Sequence, residues 1–272
     1  MPETKSVQTK QISANGVNFF CQVRGLGPVV LLIPGIGGDC GVFEMIARQL
    51  ADEFKVVSYD RRGMSRTPPP VGWHTTSMAE QAEDAAAILK GLKIKNAAIF
   101  GTGSGGLIAL ELMLRYPQLV RKAILHDPLL YTVLQGGPYD RVYWDMGQVL
   151  RTTFAMQGAM AAMNAILRWE FGMEAMQTLP GELLRRIINN GEHFVMADFP
   201  SYSFYKPDEA KMAAVRTPAK VLFSTNTPPW RREIASWLGK RINASVEPFL
   251  GEHATYIVHP LETAEALRLH LE

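Results

Sequence analysis

The chain has 272 residues, 47% of them hydrophobic, and carries 28 lysines and arginines against 26 acids for a net charge of +2. That length can bury a large core within one α/β domain, while so even a charge gives no field that would favour nucleic acid or an anionic membrane, so neither partner is expected. Residues 1–11 are polar with no apolar centre, unlike a signal peptide or membrane anchor, and Cys21 and Cys40 are too few for a disulfide framework and lack zinc-site spacing, which points to apolar thiols in a reducing, cytoplasmic setting.

In chain order, residues 17–24 alternate and predict a strand. Residues 29–33 are a continuous aliphatic run suited to a central strand covered on both faces, and the glycines and proline of 25–28 predict the turn between the two. Helical spacing over 42–50 precedes a short strand at 55–59. An alanine-rich helix is expected over 77–92, with Thr76 or Ser77 as its N-cap. A strand at 97–100 leads into Gly101-Thr102-Gly103-Ser104-Gly105-Gly106, a helix running to Tyr116 and another strand at 122–125.

The texture then changes. Residues 129–207 hold no convincing buried strand but do hold amphipathic stretches rich in methionine, including Met146, Met156, Met160 and Met163, interleaved with Tyr143, Trp144, Phe154, Trp169 and Phe171. They predict a helical cap inserted between the two parts of a core, 1–128 and 208–272. Sheet patterning resumes at 219–224, followed by a helix over 231–238, a strand over 245–250 and a closing helix from 261. Strands alternating with helices make the expected class α/β, with a mainly parallel sheet and helices on both faces.

The glycine segment has two readings. As G-x-G-x-x-G after a strand it matches a dinucleotide fingerprint, with Asp127 near the distance of a ribose-binding acid. As a G-x-S-x-G nucleophile elbow it lacks its serine, because position 103 is glycine. A dinucleotide site normally opens the first strand-turn-helix unit of its domain, whereas here about a hundred residues precede it. Three further motifs, Ile33-Pro34-Gly35-Ile36-Gly37-Gly38, Tyr59-Asp60-Arg61-Arg62-Gly63-Met64-Ser65 and Gly251-Glu252-His253 through His259-Pro260, each follow a predicted strand.

With these four motifs the chain resembles the α/β-hydrolase fold family over nearly its whole length. The resemblance implies that Ile33 to Gly38 form the oxyanion loop, that residues 59–65 are a structural turn, that 101–106 are the elbow, and that His253 is the catalytic base. The strand after the cap ends without a carboxylate, but His126-Asp127-Pro128 follows the strand beyond the elbow helix. In this the chain is similar to the zearalenone-type lactone hydrolases, which implies Asp127 as the acid, although that branch would place glutamate there. Thr227-Pro228 and the Gly-x-His followed by His-Pro also match that branch.

The implied chemistry is hydrolysis of an ester or lactone by a serine at 103, with His253 as base, Asp127 as its orienting acid and the N–H groups of Ile36 and Ser104 as oxyanion donors. With Gly103 in place, the chain is expected to bind ligand but to be inactive or nearly so, either because a serine has been replaced or because it is a natural non-hydrolytic receptor, lyase, cyclase or cofactor-free oxygenase that uses His253 as a base. Ser104 is not expected to substitute as nucleophile, since one step along so tight a turn points its side chain away from the base. Gly35, Trp144, Trp169, Phe194 and Pro228 are the expected substrate contacts, with Tyr202 a further wall candidate, and they suit a bulky apolar molecule. No cofactor or metal is implied, and both a monomer and a homodimer stay open. His126 is expected to be structural with its ring directed away from Asp127, His259 to start a helix, and Asp39 to be a solvated loop acid.

Overall fold

The computed structural model describes residues 6–271, so the first five residues of the polar 1–11 stretch lie outside the described residues. One sheet of eight strands runs in the order β1-β2-β4-β3-β5-β6-β7-β8. β1 (Gln8–Ala14) and β2 (Val17–Arg24) form an antiparallel hairpin at one edge, turning on Asn15 and Gly16, both with positive φ. The polarity of 8–11 hides β1, because an edge strand with an exposed face needs its neighbour's hydrogen bonds more than an apolar run. The Asn-Gly pair is its readable signal.

β3 (Val29–Ile33), β4 (Lys55–Tyr59), β5 (Ala97–Thr102), β6 (Val120–His126), β7 (Ala219–Ser224) and β8 (Ser245–Phe249) pair in parallel. Val30 through Ile33 have no exposed surface, as the aliphatic run at 29–33 predicts for a central strand. α1 (Glu44–Leu50) follows a 3₁₀ turn over Cys40–Phe43, which shortens the helix expected from 42. α2 (Met78–Gly91) is capped by Ser77, whose hydroxyl accepts from the Glu80 N–H at 3.0 Å. α3 (Ser104–Arg115) leaves the glycine segment.

From β3 to β4 the chain steps one way across the sheet, and from β4 to β5 and β5 to β6 it steps the other way. Right-handed crossovers then place α1 on one face and α2 and α3 on the other. The reversal sits between β3 and β5, where parallel sheets open a crevice at their carboxyl ends.

The segment between β6 and β7 is helical, with α4 (Val142–Gln157), α5 (Ala159–Thr178), α6 (Gly181–Ile188), α7 (Gly191–His193), α8 (Phe199–Ser203) and α9 (Glu209–Ala213), and a π-helical stretch over Phe194–Asp198 between α7 and α8. α10 (Pro229–Ile242), α11 (Thr255–Val258) and α12 (Pro260–Leu271) complete the chain, with α12 packed on α1.

Buried polar contacts seat the helical segment on the sheet. Arg61 Nη1 and Nη2 donate to the two carboxylate oxygens of Asp198 at 2.6 and 2.7 Å, and Nη2 also donates to the Gly35 carbonyl at 2.8 Å. Asn190 Nδ2 donates to the Gly37 carbonyl at 2.8 Å. Asp39 is not the solvated acid expected from its loop: it is fully buried and paired with Arg186 at 2.6 Å and Arg66 at 3.1 Å. Its arginine partners come from 27 and 147 residues away, so the loop sequence alone could not reveal them.

Candidate active site

β5 ends at Thr102 and α3 begins at Ser104, so Gly103 makes the whole turn, with φ 59° and ψ −123°. A Cβ on Gly101 would stand 2.2 Å from the Gly105 carbonyl oxygen, and one on Gly105 would stand 2.3 Å from that of Ile33, so neither position admits a side chain. Position 103 differs. There a Cβ would meet His253 Nε2 at 3.5 Å and Glu170 Oε1 at 3.7 Å, ordinary contact distances, so only the positive φ favours glycine and the space does not demand it.

Asp127 follows β6 and His253 follows β8, which brings both to the carboxyl end of the sheet beside the elbow. His253 Nδ1 lies 2.9 Å from Asp127 Oδ2. Burial opposes the Asp127 charge, but His126, Arg231 and His253 outweigh it and hold the carboxyl well below its ordinary range. Asp127 is therefore an acceptor, which places a proton on Nδ1 and leaves Nε2 facing the elbow.

Nε2 does not face an empty space. Glu170, on α5, places Oε1 3.0 Å from it, within ion-pair range but without hydrogen-bond alignment, while Oε2 accepts from Arg231 Nη2 of α10 at 2.9 Å. All four side chains are buried, and Arg231 Nη1 also lies 3.9 Å from Asp127 Oδ2. Burial works against the charge on His253, yet Glu170 and the bond to Asp127 raise its pKa overall against the opposing Arg231. Burial likewise opposes the Glu170 charge, but Arg231 and His253 bring it down to about 2. When His253 is protonated, the row Asp127, His253, Glu170, Arg231 alternates in charge.

A family model described as the alpha/beta hydrolase fold matches residues 28–147. YraK, an uncharacterized hydrolase of Bacillus subtilis, is 27% identical over 98% of this chain and 97% of its own length. A zearalenone hydrolase of Bionectria ochroleuca is 33% identical over 42% of this chain and 44% of its own length. The solved enol-lactonase of Burkholderia xenovorans LB400 superposes with a TM-score of 0.77 at 18% identity, over 96% of this chain and 99% of that one.

The chain has the α/β-hydrolase fold.

Within this fold, Gly103, Asp127 and His253 converge, and Ile36 and Ser104 stand in the two segments that border the elbow. Ser104 opens α3, so its N–H is among the donors a helix start leaves unpaired. Gly35 lies against the elbow, its Cβ position 2.5 Å from the Thr102 carbonyl oxygen. Trp169 and Pro228 line a cavity of about 310 Å³ that reaches Arg231, with Met146, Val149 and Trp230 among its other walls. Trp144 and Phe194 do not line it. Trp144 is 55% exposed beside Tyr143, and Phe194 is fully buried against Phe199, as Tyr202 is.

The ring of His126 is not directed away from Asp127. Its Nε2 lies 3.6 Å from Asp127 Oδ2, the Ser224 hydroxyl joins the two at 2.9 and 2.7 Å, and the ring stacks on His253 at 5.4 Å. His126, Asp127 and His253 are close enough together to suggest a metal triad, but Thr102 and Ser224 already engage both nitrogens of His126.

Sequence reasoning missed Glu170 and Arg231, though both left a signal. Glu170 continues the buried stripe Met163, Ile166, Leu167 at helical spacing, where a carboxylate is out of place. Arg231 sits in the first turn of α10, against the helix dipole unless an anion pairs with it.

Proposed function

We propose that this chain is an α/β-hydrolase that binds a bulky apolar ester or lactone and whose serine-dependent route is silenced at Gly103. The observation that carries the reading is the room left at position 103, with an imidazole nitrogen 3.5 Å from the Cβ site and an orienting carboxylate behind that imidazole at 2.9 Å. With serine there, Oγ attacks the carbonyl while His253 Nε2 takes its proton and Asp127 stabilises the imidazolium. The N–H groups of Ile36 and Ser104 hold the oxyanion, each contributing roughly 3 to 4 kcal/mol. Water then releases the acyl group. Supporting the substrate class are the largely apolar walls of the cavity beside Arg231 and relatives named as a zearalenone hydrolase and an enol-lactonase.

The test is Gly103→Ser. Serine at φ 59° carries strain of about 1 to 3 kcal/mol but meets no clash. Incubated with a fluorophosphonate, the variant gains a covalent adduct that the parent lacks, and it hydrolyses aryl esters and macrolactones at least about 100-fold faster than the parent. A folded variant that neither labels nor turns over any member of such a panel overturns the reading.

A further inference from the structure

The serine route has no use for Glu170. Its carboxylate is fully buried, Arg231 holds one oxygen, and the other faces His253 Nε2 at 3.0 Å without an aligned donor. Stability does not account for such a group, because desolvating two ions costs several kcal/mol and apolar residues of similar volume commonly serve as well. Its aim is at the one imidazole nitrogen that faces the elbow. The Cβ point of residue 103 lies 3.5 Å from Nε2 and 3.7 Å from Oε1, so both groups face the place that a serine side chain would occupy.

We propose that Glu170 is a second catalytic carboxylate, which acts as the base for a water molecule and gives this chain a slow, serine-independent hydrolysis without an acyl-enzyme. The proposal rests on the substrate class and oxyanion donors given above. As the water oxygen bonds to the carbonyl carbon, Glu170 Oε1 takes one of its protons and the carbonyl π pair moves onto oxygen, toward the Ile36 and Ser104 N–H groups. When the tetrahedral oxyanion collapses, the bond to the alkoxy oxygen breaks and the imidazolium of His253 gives its Nε2 proton to that oxygen. The proton on Glu170 then crosses the 3.0 Å to Nε2. One water is consumed, an ester yields acid and alcohol, a lactone yields a hydroxy acid, and both protein groups return to their starting states.

The route uses His253 in the opposite sense from the serine route. It needs the imidazole charged at the outset, whereas serine needs it neutral. The charged and titratable groups facing His253 are Asp127, Glu170, Arg231, His126 and Tyr256. Together the two carboxylates favour the imidazolium.

The experiment compares the parent chain, Gly103→Ser, Glu170→Gln and Glu170→Gln/Arg231→Gln on an aryl ester and a macrolactone that Gly103→Ser turns over. Binding is measured separately by quenching of tryptophan fluorescence, since Trp169 and Trp230 wall the cavity. The parent is expected to hydrolyse above the buffer rate with no fluorophosphonate adduct and no burst, and its rate falls as pH rises through the His253 titration while that of Gly103→Ser rises. Glu170→Gln lowers the parent's kcat by at least about tenfold, less than the usual worth of a general base because Arg231 and His253 weaken the carboxylate as a base, with Kd within a factor of about three. Should an unpaired Arg231 keep that variant from folding, the double variant removes both charges and gives the same loss. A parent that binds the probe but stays at the buffer rate, or a folded variant lacking Glu170 that keeps the parent's rate within about twofold, overturns the proposal. Failure of the parent to bind any probe that Gly103→Ser hydrolyses counts instead against the silenced-hydrolase reading.

Discussion

Asp127 shows how much one residue here is asked to do. Its φ of 43° lies in the left-handed region, which aspartate tolerates better than most side chains. That turn lets Oδ1 accept from the Ser224 N–H at 3.0 Å and Oδ2 from the Ser224 hydroxyl at 2.7 Å, beside His253. Since the Ser224 hydroxyl donates to Asp127, it accepts from His126 Nε2, and His126 Nδ1 is left to accept from Thr102. Burial brings the His126 pKa down to about 4, so the ring is a neutral strut under the site. In the Gly103→Ser background, Asp127→Asn presents an amide donor to Nδ1 and selects the wrong tautomer. Its kcat is expected to fall by about 10⁴ with KM little changed, as steady-state kinetics will show. The resemblance to a known family singled out Asp127, His253 and the elbow, and the structure brings the three together at the carboxyl end of the sheet. The direction of the His126 ring was not legible in sequence, since it depends on Ser224, 98 residues further on.

At the scale of elements, α5 carries the least expected part of the site. Gly172 interrupts it with φ 77° and ψ 168°, so the helix is two rods meeting just beyond Glu170. Position 172 is spacious: a Cβ there would stand 3.7 Å from Glu252 Oε2 and close to nothing else, so a methyl group adds backbone strain with no steric clash. Gly172→Ala is expected to destabilise the fold by about 1 to 3 kcal/mol, read as a lower urea midpoint with an unchanged slope. An unchanged midpoint would mean that the kink is not imposed by packing. That the segment between β6 and β7 is helical was readable from its amphipathic methionine-rich pattern, and the sheet from its apolar runs. The pairing of α5 with α10 was not, because Glu170 and Arg231 stand 61 residues apart and only the tertiary fold aligns them.

For the whole molecule, the buried charges set a window of pH stability. Glu170 and Asp127 have depressed pKa values, so their stabilisation is present above the ordinary carboxylate range and is lost as pH falls through about 4.5 toward 2. His253 has a raised pKa, so its contribution is full below 6.5 and is lost as pH rises through its folded value. Asp84, whose pKa burial raises, works the other way from the two carboxylates. His126, held neutral down to about 4, costs stability as pH falls below 6.5, so the urea midpoint is expected to be highest near pH 6.5 and lower at pH 3 and pH 9. A midpoint that climbs steadily to pH 9 would contradict this assignment of charges.

The helical segment between β6 and β7 is held to the core by Arg61 with Asp198, Asn190 with Gly37, and Glu170 with His253 and Arg231, all drawn from the interior. Opposite charges withdrawn from water resist separation and are hardly screened by salt. In the proposed function, a ligand seated between the helical segment and the elbow would leave only when those pairs come apart. Under the function proposed above, the residence time of a bound ester or lactone is then set by how rarely those pairs open, a property of the helical segment and not of the elbow.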